Sequence, residues 1–353
     1  MRVLIFRTGS IGDTIVSLPA LRVLKKYYSN ASLYLLTNFP VTDSGKESPL
    51  SSVLDGEGII CEFIEYPAKK VSMNYLFRLR KIVSTIKPEA LVYLMPQRNK
   101  YQLMRDWIFF KLCGVRKIHG LNFSSGYQRR MYDPINDRWE HEAQRLCRLI
   151  GHLGQIDLND DESWRLSISN SEHIEARQAL HNFENKRFLA LSIGTKADTK
   201  DWGEDNWLEL TKQLSRSKPG FGLVLIGSID EYELSQRIAK HWLGPVLNLC
   251  GKCAPRISAA ALSQASLYLG HDSGPMHLAA AVGTPVVAIF SSQNKPGEWY
   301  PLGEFHNVLY NKTECFGCNL NVCVLNQKKC IRGISVDSVF KAVTEHLRLV
   351  DLR

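Results

Sequence analysis

Short apolar runs alternate with longer stretches in which apolar residues recur every three or four positions, and this alternation repeats along most of the 353 residues. Val3 to Phe6, Leu33 to Leu36, Ile59 to Tyr66 and Ala90 to Met95 read as strands. Between them, a helix follows Asp13 with Leu18, Leu21, Leu24 and Tyr28 on one face, and Pro19 is tolerated near its start. Tyr75 to Thr85 is helical, and residues 40–58, with Pro, Gly and Ser, read as a loop. A second alternation starts with the strand Phe188 to Ile193. It continues through helix Trp207 to Ser215, strand Gly222 to Gly227, helix Glu231 to Trp242, strand Val246 to Leu249 and helix Ala259 to Ala265. The last segment, Ser335 to Leu349, places Val336, Val339, Phe340, Val343 and Leu347 on one helical face behind a Ser335 cap. Strands separated by helices argue for parallel sheets. Residues 155–172 are polar and acidic apart from a patch around Trp164 to Ile168, so a linker is expected there. The pattern predicts two α/β domains facing a cleft.

One segment carries more than periodicity. His271-Asp272-Ser273-Gly274-Pro275-Met276-His277 lies between the apolar runs Leu267 to Gly270 and Val286 to Phe290. It reads as strand, tight turn, short helix, tight turn, strand. Pro275 fits the first helical turn, Gly283 fits the C-terminal cap, and Pro285 blocks continuation. The Asp272-Ser273-Gly274 turn is therefore placed at a helix N-terminus and at the C-terminal end of a strand. Unpaired N–H groups there suit a phosphate or diphosphate, and open α/β sheets bind ligands at that edge. The alternative is an ordinary turn capped by Asp272. His271 reads as a packed strand-end histidine.

Three other strand-end loops bear polar groups. Thr8-Gly9-Ser10-Ile11-Gly12-Asp13 lacks both the G-x-G-x-x-G spacing and the Gly-Lys-Ser/Thr of a P-loop, which argues against a nucleotide site of either kind. Its Asp13 is either a general base on a hydroxyl or a helix cap. In the loop from Gly194 to Trp202, Lys196 or Lys200 is suited to reach a phosphate, or else is a surface lysine. After Gly227, Asp230 or Glu231 is suited to accept hydrogen bonds from ribose hydroxyls, or to cap the next helix.

Composition narrows the setting. Hydrophobic residues make 44% and charged residues 22% of the chain, as in a globular protein. No apolar run approaches the roughly 20 residues of a membrane span, and the start lacks the apolar core of a signal peptide; a cytoplasmic protein is expected. The net charge of +9 is uneven: residues 1–150 hold 23 Lys/Arg against 13 Asp/Glu, while the remainder is nearly neutral. Basic groups such as Lys69-Lys70, Arg78, Arg80-Lys81, Arg116-Lys117 and Arg129-Arg130 suggest an acidic partner, an anionic membrane face or a phosphorylated glycolipid, or else a solvated surface. No nucleic-acid motif accompanies them, so no nucleic acid is expected. Of nine cysteines, Cys250 and Cys253 read as a coincidental pair. Cys315, Cys318, Cys323 and Cys330, spaced C-x2-C-x4-C-x6-C, suit a structural zinc or iron site or else remain thiols.

Taken together these blocks resemble glycosyltransferase family 9, the bacterial heptosyltransferases of lipopolysaccharide core assembly. The matching blocks are Arg7 to Asp13 with Leu18-Pro19-Ala20-Leu21, then Lys200-Asp201-Trp202, Leu249-Cys250-Gly251-Lys252, and Asp272 to Ala279 through Pro285; the cysteine-rich tail is similar too. The resemblance implies a GT-B fold. Its parts would be an acceptor-binding Rossmann-like domain over 1–160, a nucleotide-sugar-binding one over 173–334, and a helix at 335–353 packing back towards the first. It implies an inverting, metal-independent transferase using ADP-heptose, at the inner face of the membrane. Carried over, Asp13 is the general base, with Gly9, Ser10 and Gly12 at the acceptor. Lys200, Asp272, Ser273, Gly274 and His277 hold the diphosphate, and Asp230 or Glu231 the ribose. The segment Ser291 to Trp299 departs from the family's turn, which leaves another nucleotide sugar open. A sugar-nucleotide epimerase or a non-catalytic binding protein of the same fold are the other readings.

Overall fold

Apolar on both faces, β1 (Arg2–Phe6) is buried from Val3 onwards, the burial a central parallel strand requires. With β2 (Ser32–Phe39), β3 (Glu62–Pro67), β4 (Ala90–Tyr93) and β5 (Lys117–His119) it forms an all-parallel sheet in the order β3-β2-β1-β4-β5. The structure, a computed structural model, describes residues 1–39, 50–67, 72–124, 126–183 and 186–351. Lys69-Lys70 and residues 40–49 of the expected loop lie outside the described residues; the rest of that loop contains a helical turn, α3 (Ser51–Leu54).

The helix expected after Asp13 is two helices, α1 (Ile11–Ile15) and α2 (Leu18–Tyr27). Pro19 has no N–H to return to the Ile15 carbonyl, so the first helix ends and the second starts with Pro19 in its first turn. The remaining helices of this unit are α4 (Met73–Ile86), α5 (Lys100–Leu112) and α6 (Glu142–Leu149). A two-residue strand, β6 (Tyr132–Asp133), precedes α6.

The chain divides into one unit of Met1–Asp133 with Glu140–Trp164 and another of Pro134–Trp139 with Arg165–Arg353. Residues 134–139 were read as part of the first domain. They belong to the second, where Lys312 Nζ binds Asp137 at 2.7 Å, the Trp139 N–H donates to the Pro296 carbonyl at 2.8 Å, and the Arg138 guanidinium lies over the Tyr300 ring. The expected linker is also more ordered than its polarity suggests. Trp164 is buried, and α7 (Asn170–Ala179) begins within the segment, capped by a reciprocal Ser169–Glu172 box.

The second unit holds the short β7 (Arg138–Trp139) and a six-stranded parallel sheet. Its strands are β8 (Phe188–Ser192), β9 (Gly222–Leu225), β10 (Val246–Asn248), β11 (Leu267–His271), β12 (Val286–Phe290) and β13 (His306–Tyr310), in the order β10-β9-β8-β11-β12-β13. The helices are α8 (Glu204–Ser217), α9 (Tyr232–Ala239), α10 (Pro255–Leu262), α11 (Gly274–Ala281), α12 (Lys329–Arg332) and α13 (Val336–Asp351). The apolar face of α13, Val339, Ala342, Val343 and Leu347, is part of the second unit's core with Trp207, Leu210, Val287 and Ile289. An amphipathic period says that a helix has a buried side, not which sheet buries it.

Strand order decides where ligands bind. In the first sheet the order reverses at β1 and β4, and in the second at β8 and β11. At such a reversal the following loops leave in opposite directions and open a crevice beyond the strand ends. The Arg7–Asp13 loop follows β1, the Gly194–Trp202 loop follows β8, and the Asp272 turn follows β11.

Candidate active site

At the end of β1 the chain enters a turn clamped by Asn38. The Gly9 N–H donates to Asn38 Oδ1 at 2.6 Å, and Asn38 Nδ2 donates back to the Gly9 carbonyl at 3.1 Å. Asp13 then folds over the turn. Its Oδ2 accepts from the Ser10 N–H at 2.8 Å and from the Ser10 hydroxyl at 2.9 Å. A Cβ on Gly9 would lie 2.2 Å from Asp13 Cβ, so only glycine permits this approach. Asp13 is therefore the capping residue that one reading expected, and its side chain is also 21% exposed, accessible to another molecule.

Behind Asp13 stands a buried ionic chain that sequence reasoning did not find. The Arg7 guanidinium donates to Asp13 Oδ1 at 3.2 Å, to the Leu94 carbonyl at 2.9 Å and to Glu142 Oε1 at 3.2 Å. Glu142, on α6, is fully buried and also accepts from Arg145 through both oxygens at 2.8 Å and from Arg130 at 2.8 Å. Burial by itself would raise its carboxyl. The hydrogen bonds from Arg145 and the charges of Arg145, Arg7 and Arg130 outweigh that and hold it down at about 2. The signal was present: Glu142 and Arg145 share the helical face of Ala143, Leu146 and Leu149, where charges are out of place unless paired.

In the second unit three loops meet. Lys200 follows β8, Asp272 follows β11, and Asn294 follows β12. Lys200 Nζ lies 2.6 Å from Asp272 Oδ2, and Asn294 Nδ2 donates to the same oxygen at 3.2 Å. The ammonium is thereby fixed beside the Asp272-Ser273-Gly274 turn. Ser273 is the extended N-cap of α11, Pro275 lies in its first turn, and Gly283 follows its end at φ +80°, as the sequence pattern predicts. Of the two lysines weighed, Lys196 is exposed and contributes charge near Glu231, while Lys200 joins the turn. Asn294 lies in the Ser291 to Trp299 segment that departs from the family's turn, but nothing local marks it as a partner of Asp272.

Glu231 and Asp230 separate clearly. Glu231 lies against two strand-end glycines: a Cβ on Gly194 would meet its carboxyl carbon at 1.8 Å, and one on Gly227 its Oε2 at 2.0 Å. Burial raises its carboxyl above the ordinary range, opposed by bonds from Ser228. Asp230 is exposed. His277 is buried in α11, edge-on to Trp299 with ring centroids 6.4 Å apart. His271 is the packed histidine expected. It is fully buried, accepts from the Trp202 N–H at 3.2 Å and meets Trp207 edge-on. Burial pushes its imidazole down to about 4, so it is neutral.

The cysteine tail was open between a metal site and thiols. Among the described residues no three His, Cys, Asp or Glu side chains stand together as metal ligands. Cys315, Cys318, Cys323 and Cys330 are free thiols. Cys315 Sγ accepts from Asn326 Nδ2 at 3.4 Å and Cys323 Sγ from the Lys328 N–H at 3.2 Å. The segment braces the site. Lys328 Nζ binds Asp198 at 2.5 Å and Asp201 at 3.3 Å, on either side of Lys200, and the Leu320 carbonyl accepts from Thr199 and Gln293.

Comparison with known proteins gives the family and the fold. The sequence profile of glycosyltransferase family 9 (heptosyltransferase) matches residues 107–329. The chain is 23% identical over 357 residues to lipooligosaccharide heptosyltransferase 2 of Campylobacter jejuni, covering 99% of each. It is 27% identical over 317 residues to the lipopolysaccharide core heptosyltransferase OpsX of Haemophilus influenzae, covering 86% of this chain and 83% of the relative. The solved ADP-heptose lps heptosyltransferase II of E. coli superposes with a TM-score of 0.71 at 16% identity, covering 99% of this chain and 100% of that one. The fold is that of the GT-B heptosyltransferases. With its profile matched over more than half its length, the chain belongs to glycosyltransferase family 9, the heptosyltransferases, and is a glycosyltransferase.

Proposed function

We propose that this chain transfers heptose from ADP-heptose, with inversion, to a lipopolysaccharide-core or related phosphorylated glycolipid acceptor at the inner face of the membrane. The observation that carries the reading is the convergence of Lys200, Asp272 and Asn294 beside the N-terminus of α11. The acceptor oxygen attacks the anomeric carbon as the bond from that carbon to the diphosphate oxygen breaks. The bonding pair leaves with the diphosphate, and the hydroxyl proton passes to Asp13. The Ser273 and Gly274 N–H groups and the Lys200 ammonium oppose the charge growing on the leaving group, so no metal is required for that role. Glu231 takes the ribose hydroxyls. Gly9, Ser10 and Gly12 shape the acceptor side around Asp13.

Calorimetric titration with ADP-heptose and with UDP-, GDP- and ADP-linked hexoses tests the donor, with Lys200→Ala as control. Asp13→Ala tests the base. The expected result is selective ADP-heptose binding that Lys200→Ala weakens, and turnover that Asp13→Ala abolishes while donor affinity stays. Retained turnover in Asp13→Ala refutes the mechanism, and binding of another nucleotide sugar refutes the heptose assignment.

A further inference from the structure

Helix α5 is amphipathic in an unusual sense. Its inner side is conventional, with Leu103, Asp106 and Phe110 buried; Leu103 and Phe110 share one core with Leu79 and Val83 of α4. Its outer side is not. Tyr101 is 80% exposed and Leu112 61%, and Met104, Trp107 and Ile108 are exposed as well. At 100° per residue these five, with Lys100, Arg105 and Lys111, fill an arc of about 160°. No acidic residue falls within that arc; Asp106, the one acid of α5, points inwards. Lys111 Nζ lies 5.8 Å from the centroid of the Trp107 ring, and Phe123 meets that ring edge-on. Exposed Phe77, Arg78, Arg80 and Lys81 on neighbouring α4 extend the same chemistry.

We propose that the outer face of α5 docks the first unit onto an anionic lipid surface, the helix lying in the plane of the interface. Trp and Tyr favour that depth, and apolar side chains enter the acyl boundary while lysine and arginine stems reach back to lipid phosphates. Thirteen residues cannot cross a bilayer, and among the described residues no helix is long and apolar enough to do so. Charge selects lipid over a second copy of the chain. Arg105 is paired with Asp106 at 2.7 Å, but a symmetric self-contact would still set Lys100 and Lys111 against a patch equally basic, whereas anionic headgroups neutralise them. The purpose of the docking rests on the acceptor being a membrane glycolipid; the lipid contact itself is read without donor or acceptor.

The test is co-sedimentation of the full chain with phosphatidylglycerol/phosphatidylcholine vesicles and with pure phosphatidylcholine vesicles, at low and high salt. Wild type is expected to partition onto the anionic vesicles, less so at high salt. Trp107→Ala with Ile108→Ser should lower partitioning about tenfold, and Lys100→Glu with Lys111→Glu should lower it at least as far. Melting curves and turnover on a delipidated acceptor should stay unchanged in both variants. No wild-type partitioning, or equal partitioning by the variants, overturns the proposal. So does a wild-type dimer that the variants dissolve while vesicle binding stays constant. Loss of turnover on delipidated acceptor by wild type would instead count against the transferase reading and leave the vesicle result standing.

Discussion

Glu142→Gln isolates the buried ionic chain behind Asp13. Both carboxylate oxygens of Glu142 accept from guanidinium groups, Oε1 from Arg7 and Arg145 and Oε2 from Arg130 and Arg145. Whichever way the glutamine amide turns, its NH2 meets arginine N–H donors, and three cations lose their buried counter-charge. The size of the loss follows from the carboxyl being held at about 2 instead of its ordinary 4.5. At about 1.4 kcal/mol per pKa unit this is about 3 kcal/mol of folded-state stabilisation. Removing one partner of a buried pair costs a similar about 3–5 kcal/mol. For a unit of this size the melting temperature should fall by about 6–12 °C. Thermal and urea unfolding give the loss, and hydrogen exchange at β1 and β4 assigns it to the first unit. There is also a signature in pH. Because the folded carboxyl is depressed, its contribution is complete above about pH 5 and drains away as pH falls from about 4.5 towards 2. Wild type should show that acid slope and Glu142→Gln should lack it. A loss below about 1 kcal/mol, or an unchanged slope, would refute the account.

Other perturbations reach the site by different routes. Gly9→Ala places a methyl 2.2 Å from Asp13 Cβ and must displace the carboxylate; turnover should fall about 100-fold with donor affinity unchanged in calorimetry. Gly194→Ala drives its Cβ into the Glu231 carboxyl at 1.8 Å; donor affinity should fall about tenfold, and equal affinity would remove Glu231 from the site. His271→Phe leaves the buried Trp202 N–H without its acceptor, a loss of about 1–3 kcal/mol in urea unfolding. Since burial holds the folded imidazole at about 4 against an ordinary 6.5, the unfolded chain takes up a proton first. Wild-type stability should therefore fall as pH drops from about 6.5 towards 4, and that part of the fall should vanish in His271→Phe.

What the sequence determined by itself is local. The β11–α11 turn was legible because each instruction lies within a few residues: an apolar run for the strand, Pro275 for the first helical turn, Gly283 at φ +80° for the stop. The placement of Asp13 and Lys200 in the loops that follow β1 and β8 was legible for the same reason. The tertiary structure decided everything that depends on which strands become neighbours. Arg7 meets Glu142 across 135 positions, Asn38 clamps Gly9 across 29, and Asn294 joins Asp272 across 22. Residues 134–139 leave one unit for the other. Periodicity reports that a side chain is buried or exposed, since the helical and strand periods are short. Partner choice is set by sheet order and crossovers, and the energy that rewards a correct pairing arises only once distant segments share a dry, low-dielectric environment.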